Sequence, residues 1–508
     1  MSKNNKKPKL LIATPEIILG LPEGSGNLLR KGINFSNGGM APVGSNYIRG
    51  LVDNSDFETY AVVPKWESSL REFNDLSTLN IKKMTSYLQD NLLTITHPSF
   101  NKVPIKGTNT LMYDKTSRFN EKDRAIAFSA GVVNYVIPEI RPDIIWVNDW
   151  MLGPVAVAAK AQDIAVVTTG HNIFTHCNDL NEIINSIDLR PFDDYRPDNW
   201  LYSTNSQFDF MASAINSADD FTTVSPSFLK RILNDEFYGY PNMSPSVIDA
   251  IKTKAEHNHP DGRSRVHGYL NPLEEDKSCL LDDIENVGLN ETIKKRKKNA
   301  EKLRNKTGLK EGGKIVIFPN RLYDGQKNPR LIIDNAKNLA YKYDLRILFV
   351  ANGDKEIVEY ATNIALGSDG YVSYQPFDRN LENLAKVSDN TYGLMTSTYE
   401  PCGGPNLNYP LGGTLVIGHA VDGIKDTVIP LDIENGKGNG FPYFSNDLDG
   451  LESAIIKMCD FASKTDEIKY SEYTRIAKET LKNHSAKARI KQVAEEIFLP
   501  LLYEKGLR

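Results

Sequence analysis

The stretch Asp143–Thr169, DIIWVNDWMLGPVAVAAKAQDIAVVTT, carries the fold. Two runs, Asp143–Asn148 and Ile164–Thr169, are apolar at consecutive positions rather than alternate ones. That is the pattern of a strand covered on both faces, as in a parallel sheet. Between them Pro154–Gln162 is rich in alanine and reads as a helix. Strand, helix and strand at this spacing predict a βαβ crossover in a doubly wound sheet.

The same alternation extends outward. Lys9–Ala13 reads as a buried strand, and a loop rich in glycine and asparagine follows from about Gly20 to Gly44. Asn46–Val52 reads as a helix and Glu58–Pro64 as a further strand. The pattern then restarts: Lys314–Pro319 is a strand, Pro329–Tyr341 an amphipathic helix, and Leu345–Val350 a strand ended by Asn352-Gly353-Asp354. Thr414–Gly418 reads as another. Two α/β units follow. Between them Asn271–Gly313 is polar and charged, and Glu291–Leu303 reads as a solvated connecting helix. Its basic run, Lys294–Lys298, either touches phosphate or forms a solvated face.

Composition sets the class. A chain of 508 residues is long enough for two or three domains. The net charge of -5 gives no global basic field to draw nucleic acid or anionic lipid, which leaves a local basic patch open. The four cysteines, Cys177, Cys279, Cys402 and Cys459, form no CxxC pair. That spacing suggests neither a zinc site nor a disulfide framework and fits a reducing cytosol. The run Leu10–Ala13 is too short for a signal segment, and no stretch is long and apolar enough to span a bilayer. A cytoplasmic protein with no membrane partner is expected.

In open α/β sheets ligands sit beyond the carboxyl ends of the strands, so the loops that leave strands hold the candidates. In Ser36–Gly44 glycines precede a helix, which suits either an anion on backbone amides or a tight turn with no ligand. Asp149, after Trp146-Val147-Asn148, can accept from sugar hydroxyls or can simply cap a helix. His171, in Thr169-Gly170-His171-Asn172, suits a sugar hydroxyl or a structural role at the sheet edge. Arg321 and Lys327 share one loop after a strand. A guanidinium fork with an ammonium suits a diphosphate, and surface ion pairing is the alternative. The most specific segment is Ser397–Leu407, in which Glu400 precedes the glycine turn Pro401-Cys402-Gly403-Gly404.

In their order along the chain these segments resemble the bacterial glycogen synthases and plant starch synthases. The residues that carry the resemblance are Ser36-Asn37-Gly38-Gly39-Met40, Asn148-Asp149-Trp150, Thr169-Gly170-His171-Asn172, Arg321 to Lys327, and Glu400-Pro401-Cys402-Gly403. Thr223–Ser227, Tyr269-Leu270-Asn271, Asp422–Val428 and Gly438–Phe441 add to it. The resemblance implies two facing Rossmann-like doubly wound domains of the GT-B type, with an inter-domain cleft. It places an N-terminal acceptor-side domain at 1–272, a linker with a charged helix at 273–311, a nucleotide-sugar-binding domain at 312–488, and a helix packing back on the first domain at 489–508.

The resemblance also implies a retaining, metal-independent glycosyltransferase that moves glucose from a nucleotide-diphosphate sugar, ADP-glucose or UDP-glucose, to an α-1,4-glucan. No cofactor is implied; the nucleotide sugar is a substrate. Arg321 and Lys327 would hold the diphosphate, helped by the amides of Gly38 and Gly39. Asp149, His171 and Asn271 would contact the transferred sugar. Glu400 would hold the donor sugar beside Cys402, Gly403 and Gly404, and Tyr374 and Phe377 would flank the nucleobase. Four departures bear on donor and acceptor, one being that the first loop and the Cys177–Asn216 stretch are enlarged relative to the family. Ser36 stands where the family has a lysine, with Lys31 in the same loop. The Arg321 loop is one residue longer. Gly404-Pro405-Asn406 replaces Leu-Thr-Gln. They leave open another acceptor (a saccharide, small molecule, protein or modified nucleic-acid base) or a glucan-binding relative without turnover.

Overall fold

A computed structural model of the chain describes residues 7–19, 33–35, 40–52, 56–64, 80–84, 91–100, 120–187, 203–204, 206–240 and 243–507. The chain divides into two compact units. The first comprises Met1–Val224, Leu229–Pro272 and Ala486–Arg508, the second Ser225–Phe228 and Leu273–Ser485.

The first unit is built on an eight-stranded sheet. Its strands are β1 (Lys9–Ala13), β2 (Glu58–Pro64), β3 (Asn80–Met84), β4 (Leu92–Thr96), β5 (Ile144–Asn148), β6 (Ala165–Gly170), β7 (Asp220–Thr223) and β8 (Val266–Gly268). The order is β8-β7-β6-β5-β1-β2-β4-β3. Every pairing is parallel except β3 with β4. Residues Leu10–Ala13, Ile144–Asn148 and Ala165–Gly170 are all buried, as their unbroken apolar runs require. The crossover between β5 and β6 is the helix Gly153–Ala161, with Pro154 in its first turn and buried through Ala159.

The last segment of the chain completes this unit. Helical turns run from Ala486 to Glu504, interrupted by a π-helical stretch at Ala494–Phe498. The Phe498 ring lies 5.3 Å from Trp146 on β5 and 5.9 Å from Phe57 just before β2.

The second unit carries a six-stranded, wholly parallel sheet. Its strands are β9 (Lys314–Phe318), β10 (Leu345–Val350), β11 (Val372–Gln375), β12 (Thr391–Met395), β13 (Leu415–His419) and β14 (Gly440–Tyr443). The order β11-β10-β9-β12-β13-β14 is that of a dinucleotide-binding sheet. It reverses between β9 and β12, so the loops leaving those two strands diverge and open a crevice at their carboxyl ends.

Two expectations from the sequence are corrected. The helix after β9 is not continuous from Pro329 to Tyr341: it runs Pro329–Ile333 and resumes at Ala336–Tyr343. The stretch 273–311 is no linker but part of the second unit. Its helices Cys279–Val287 and Leu289–Thr307 lay Leu280, Ala300 and Leu303 into that unit's core. The basic run divides accordingly. Lys294, Lys295 and Lys297 pair at the surface with Glu291, Asp283 and Asp466. Arg296 is buried and donates to the carbonyls of Ser388 (2.8 Å), Gly413 (2.9 Å) and Gly412. Its guanidinium lies 5.8 Å from the Tyr470 ring and 5.7 Å from that of Tyr473. One apolar-facing position per turn is enough to dock a helix whose other faces are charged.

Arg296→Ala should therefore destabilise the protein by on the order of 3 kcal/mol, since hydrogen bonds to a charged group are worth roughly 1.5–3 kcal/mol. Lys297→Ala should change stability by less than about 1 kcal/mol, as for exposed pairs. Equal midpoints for the two variants in urea denaturation would contradict the packing assigned to this helix.

Candidate active site

Every described residue read as a site candidate in the second unit lies at the carboxyl edge of its sheet. Arg321 and Lys327 follow β9, Tyr374 and Phe377 sit at and beyond the end of β11, and Glu400 to Gly404 follow β12. The two loops at the switch point are tied together. Thr396 Oγ1 donates to the carbonyls of Lys327 (2.7 Å) and Asn328 (2.9 Å), and the Thr398 amide donates to Gln326 O (2.8 Å).

Within this frame Lys327 and Glu400 are buried together. Lys327 Nζ donates to Glu400 Oε2 at 2.5 Å, and Ser397 Oγ donates to the same oxygen at 2.9 Å. The sequence reading gave these residues to different parts of a donor; the fold makes them one another's counter-charge. The Glu400 carboxylate does not cap the turn that follows it. The Glu400 backbone holds that position instead: its amide donates to Asp422 Oδ2 (2.9 Å) and its carbonyl accepts from Gly423 N–H (2.9 Å). A Cβ on Gly423 would stand 2.4 Å from Cys402 Cα, so only glycine lets the two backbones approach this closely. Gly403 has φ +84, and a Cβ there would meet Asn406 Oδ1 at 2.2 Å. Beyond Gly404 that space is open, with Glu274 Oε1 at 3.9 Å. Arg321 is exposed.

The candidate nucleobase residues differ from each other. Tyr374 is half-buried, and its hydroxyl donates to Ala351 O (3.0 Å) at the end of β10. Phe377 is exposed, with its amide on Asn352 Oδ1 (3.1 Å).

The first unit has its own switch point, between β1 and β5. Asp149 follows β5 with φ +71, uncommon for a residue other than glycine. Its amide donates to Thr169 O (2.8 Å) and its Oδ1 accepts from Trp150 N–H (2.7 Å), so it caps the short 3-10 turn Trp150–Leu152. Its carboxyl is pushed up to about 6, mainly by desolvation, with the charge of Glu16 adding to the rise. His171 follows β6, with Nε2 3.3 Å from Asn148 Oδ1. Burial lowers its imidazole to about 4, so it is neutral at neutral pH and acts as a hydrogen-bonding group rather than a cation. Tyr47 donates to Asn271 Oδ1 (3.0 Å), and its ring lies 6.2 Å from that of His171. Asp149, His171 and Asn271 thus follow three strands at one sheet edge. Gly38 and Gly39, with Ser36 and Lys31, lie outside the described residues.

Sequence reasoning missed Glu16, and it quoted Ser397 and Asp422 within motif segments without giving either a role. Glu16 stands three residues after β1 with no exposed surface. The rule that singled out Asp149, a polar residue just past a buried strand, applies to it equally. Among the described residues no group of three His, Cys, Asp or Glu side chains is arranged to hold a metal ion.

Comparison with known proteins agrees with this arrangement. Residues 35–244 match the family described as the starch synthase catalytic domain, and residues 299–475 match the glycosyl transferases group 1 family. The glycogen synthase of Clostridium botulinum is 26% identical over 358 residues, 67% of this chain and 69% of that protein. The glycogen synthase of Petrotoga mobilis is 24% identical over 461 residues, 84% of this chain and 88% of that protein. The catalytic domain of starch synthase IV from Arabidopsis thaliana, solved bound to ADP and acarbose, shares the fold. Its TM-score is 0.68 at 16% identity, over 97% of this chain and 99% of that one. Two parallel α/β units with polar residues at their switch points define a glycosyltransferase of the GT-B type. The chain is similar to the glycogen synthases and starch synthases across both units.

Removing one member of a buried ion pair leaves the other uncompensated, at about 3–5 kcal/mol. Lys327→Ala should therefore lower stability by about that amount, and Arg321→Ala by no more than about 0.5 kcal/mol, the usual range for a surface change. Thermal denaturation of the two variants without ligand checks this. A Lys327→Ala protein as stable as the parent would show that the pair does not form.

Proposed function

We propose that this chain transfers glucose, with retention of configuration and without a metal, from a nucleoside diphosphate glucose to the end of an α-1,4-glucan. The observation that carries this reading is the coincidence of the family's motif residues with the switch point of the second sheet, where the loop of Arg321 and Lys327 meets that of Glu400. In this reading exposed Arg321 binds the donor diphosphate. Lys327 carries the second positive charge toward the departing phosphate, and Glu400 both anchors that ammonium and accepts from a hydroxyl of the donor sugar. Breaking the glycosidic bond puts negative charge on the diphosphate, and fixed cations stabilise it without reorganising. The leaving phosphate then takes the acceptor's proton on the same face of the sugar. Asp149, neutral His171 and Asn271 bind hydroxyls of the transferred glucose. Tyr374 and Phe377 flank the base, and the amides of Gly38, Gly39, Gly403 and Gly404 lie along the donor.

Two measurements test the reading. Incubation with a panel of nucleotide sugars, followed by assay of transfer to glycogen, should give product from a glucose donor, and chelation with EDTA should leave the rate unchanged. Loss of transfer on chelation, restored by magnesium or manganese, would overturn the metal-free route. Glu400→Gln should keep nucleoside diphosphate affinity within a fewfold while lowering turnover on the order of a hundredfold, the size of losing one transition-state hydrogen bond elsewhere. It should also melt at lower temperature, because Lys327 loses its counter-charge. Normal turnover in that variant would remove Glu400 from the reaction.

A further inference from the structure

The first unit holds charged groups around Asp149 that the proposed mechanism leaves unused. Ala13 of β1 lies opposite Val147 of β5 in the parallel register. Glu16 and Asp149, three and two residues further on, therefore leave adjacent strands at the switch point of the sheet. Glu16 has no exposed surface. His176 packs against the residue that follows Asp149. Its ring centroid is 4.2 Å from that of Trp150, the residue whose amide holds Asp149 Oδ1. Its Nε2 lies 3.1 Å from Glu121 Oε2, in the first turn of the helix Glu121–Gly131.

Resting on the reading of Asp149 as a sugar contact, we propose that Glu16 and His176 are positioning residues that set, through opposite charges, whether the Asp149 carboxyl meets a sugar hydroxyl as acceptor or as donor. The surroundings of Asp149 are compatible with this. Its carboxyl sits at about 6; desolvation is the largest cause, the Trp150 amide opposes it, Glu16 raises the value and His176 lowers it. His171, on the neighbouring strand end, is neutral in this range. Arg124, on the same helix as Glu121, is buried and donates Nε to Ser99 O (3.0 Å). Asp149 is thus an acceptor at neutral pH and loses that role as pH falls through about 6. Its backbone is also held in an unusual conformation, with φ +71. A residue held in a rarely used conformation, at a cost of roughly 1–3 kcal/mol, is characteristic of sites where side-chain direction matters.

The sign of each effect follows from Coulomb's law. Removing the negative charge of Glu16 makes Asp149 easier to ionise; removing the positive charge that His176 carries when protonated makes it harder. In Glu16→Gln the acid limb of the kcat/KM profile should move to lower pH, and in His176→Gln to higher pH, each by about half a unit to one unit. A purely structural role for either residue would lower the rate without moving the limb in opposite directions. Infrared difference titration of each variant against the same variant carrying Asp149→Asn reads the carboxyl itself. Opposite displacements there, with an unmoved rate profile, would uphold the tuning and remove Asp149 from the sugar contacts. Displacements of the same sign, or none, would overturn the proposal. Should Glu16→Gln fail to fold, the direction of the His176→Gln shift decides.

Discussion

The ion pair between Lys327 and Glu400 is the constraint on which the second unit's chemistry depends. Both side chains are buried, and each is a charge that could not stay in that place alone. The pair joins the loops leaving β9 and β12, the two strands between which the sheet changes direction. Thr396 and Thr398 stitch the same loops together through backbone carbonyls. A parallel sheet opens a crevice at such a point, and the ion pair keeps its two walls in fixed register. Arg321, in the same loop, is exposed, so the two cations of one sequence motif sit in different environments.

The first unit solves a different electrostatic problem. Its switch point brings together carboxylates and imidazoles rather than a matched ion pair. There desolvation is the main influence: it raises the Asp149 carboxyl to about 6, with the Trp150 amide, Glu16 and His176 as smaller influences, and it lowers the His171 imidazole to about 4. The aromatic layer beneath, with Tyr47 4.5 Å from Trp146 and Trp146 5.3 Å from Phe498, links this edge to the last helical segment of the chain. Residues 486–508 are thereby part of the first unit's core rather than a tail.

The stretch 273–311 shows how charge density misleads. Its long helix is rich in lysine and arginine, and such runs usually face water. Arg296 nonetheless lies against two tyrosine rings with its guanidinium on three carbonyls. A long side chain with an apolar stem and a forked head can close the open end of a loop that no aliphatic residue could satisfy.

Unbroken apolar runs determined the two parallel sheets, because a strand covered on both faces has no polar alternative and its period is local. Order and spacing of the loop motifs determined the family, and the rule that ligands meet carboxyl strand ends placed Arg321, Lys327, Glu400, Asp149 and His171 at sheet edges. Only the tertiary structure decided which of these residues meet. Lys327 and Glu400 are 73 positions apart, and their contact exists because β9 and β12 are neighbours in a sheet order that local periodicity does not encode. Glu16, a polar residue just past a buried strand like Asp149, could have been singled out by the same rule; its neighbouring strand end became visible only in the sheet order. The double duty of Asp149, as cap and as titrating carboxyl, likewise depends on burial and on charges brought in from distant segments.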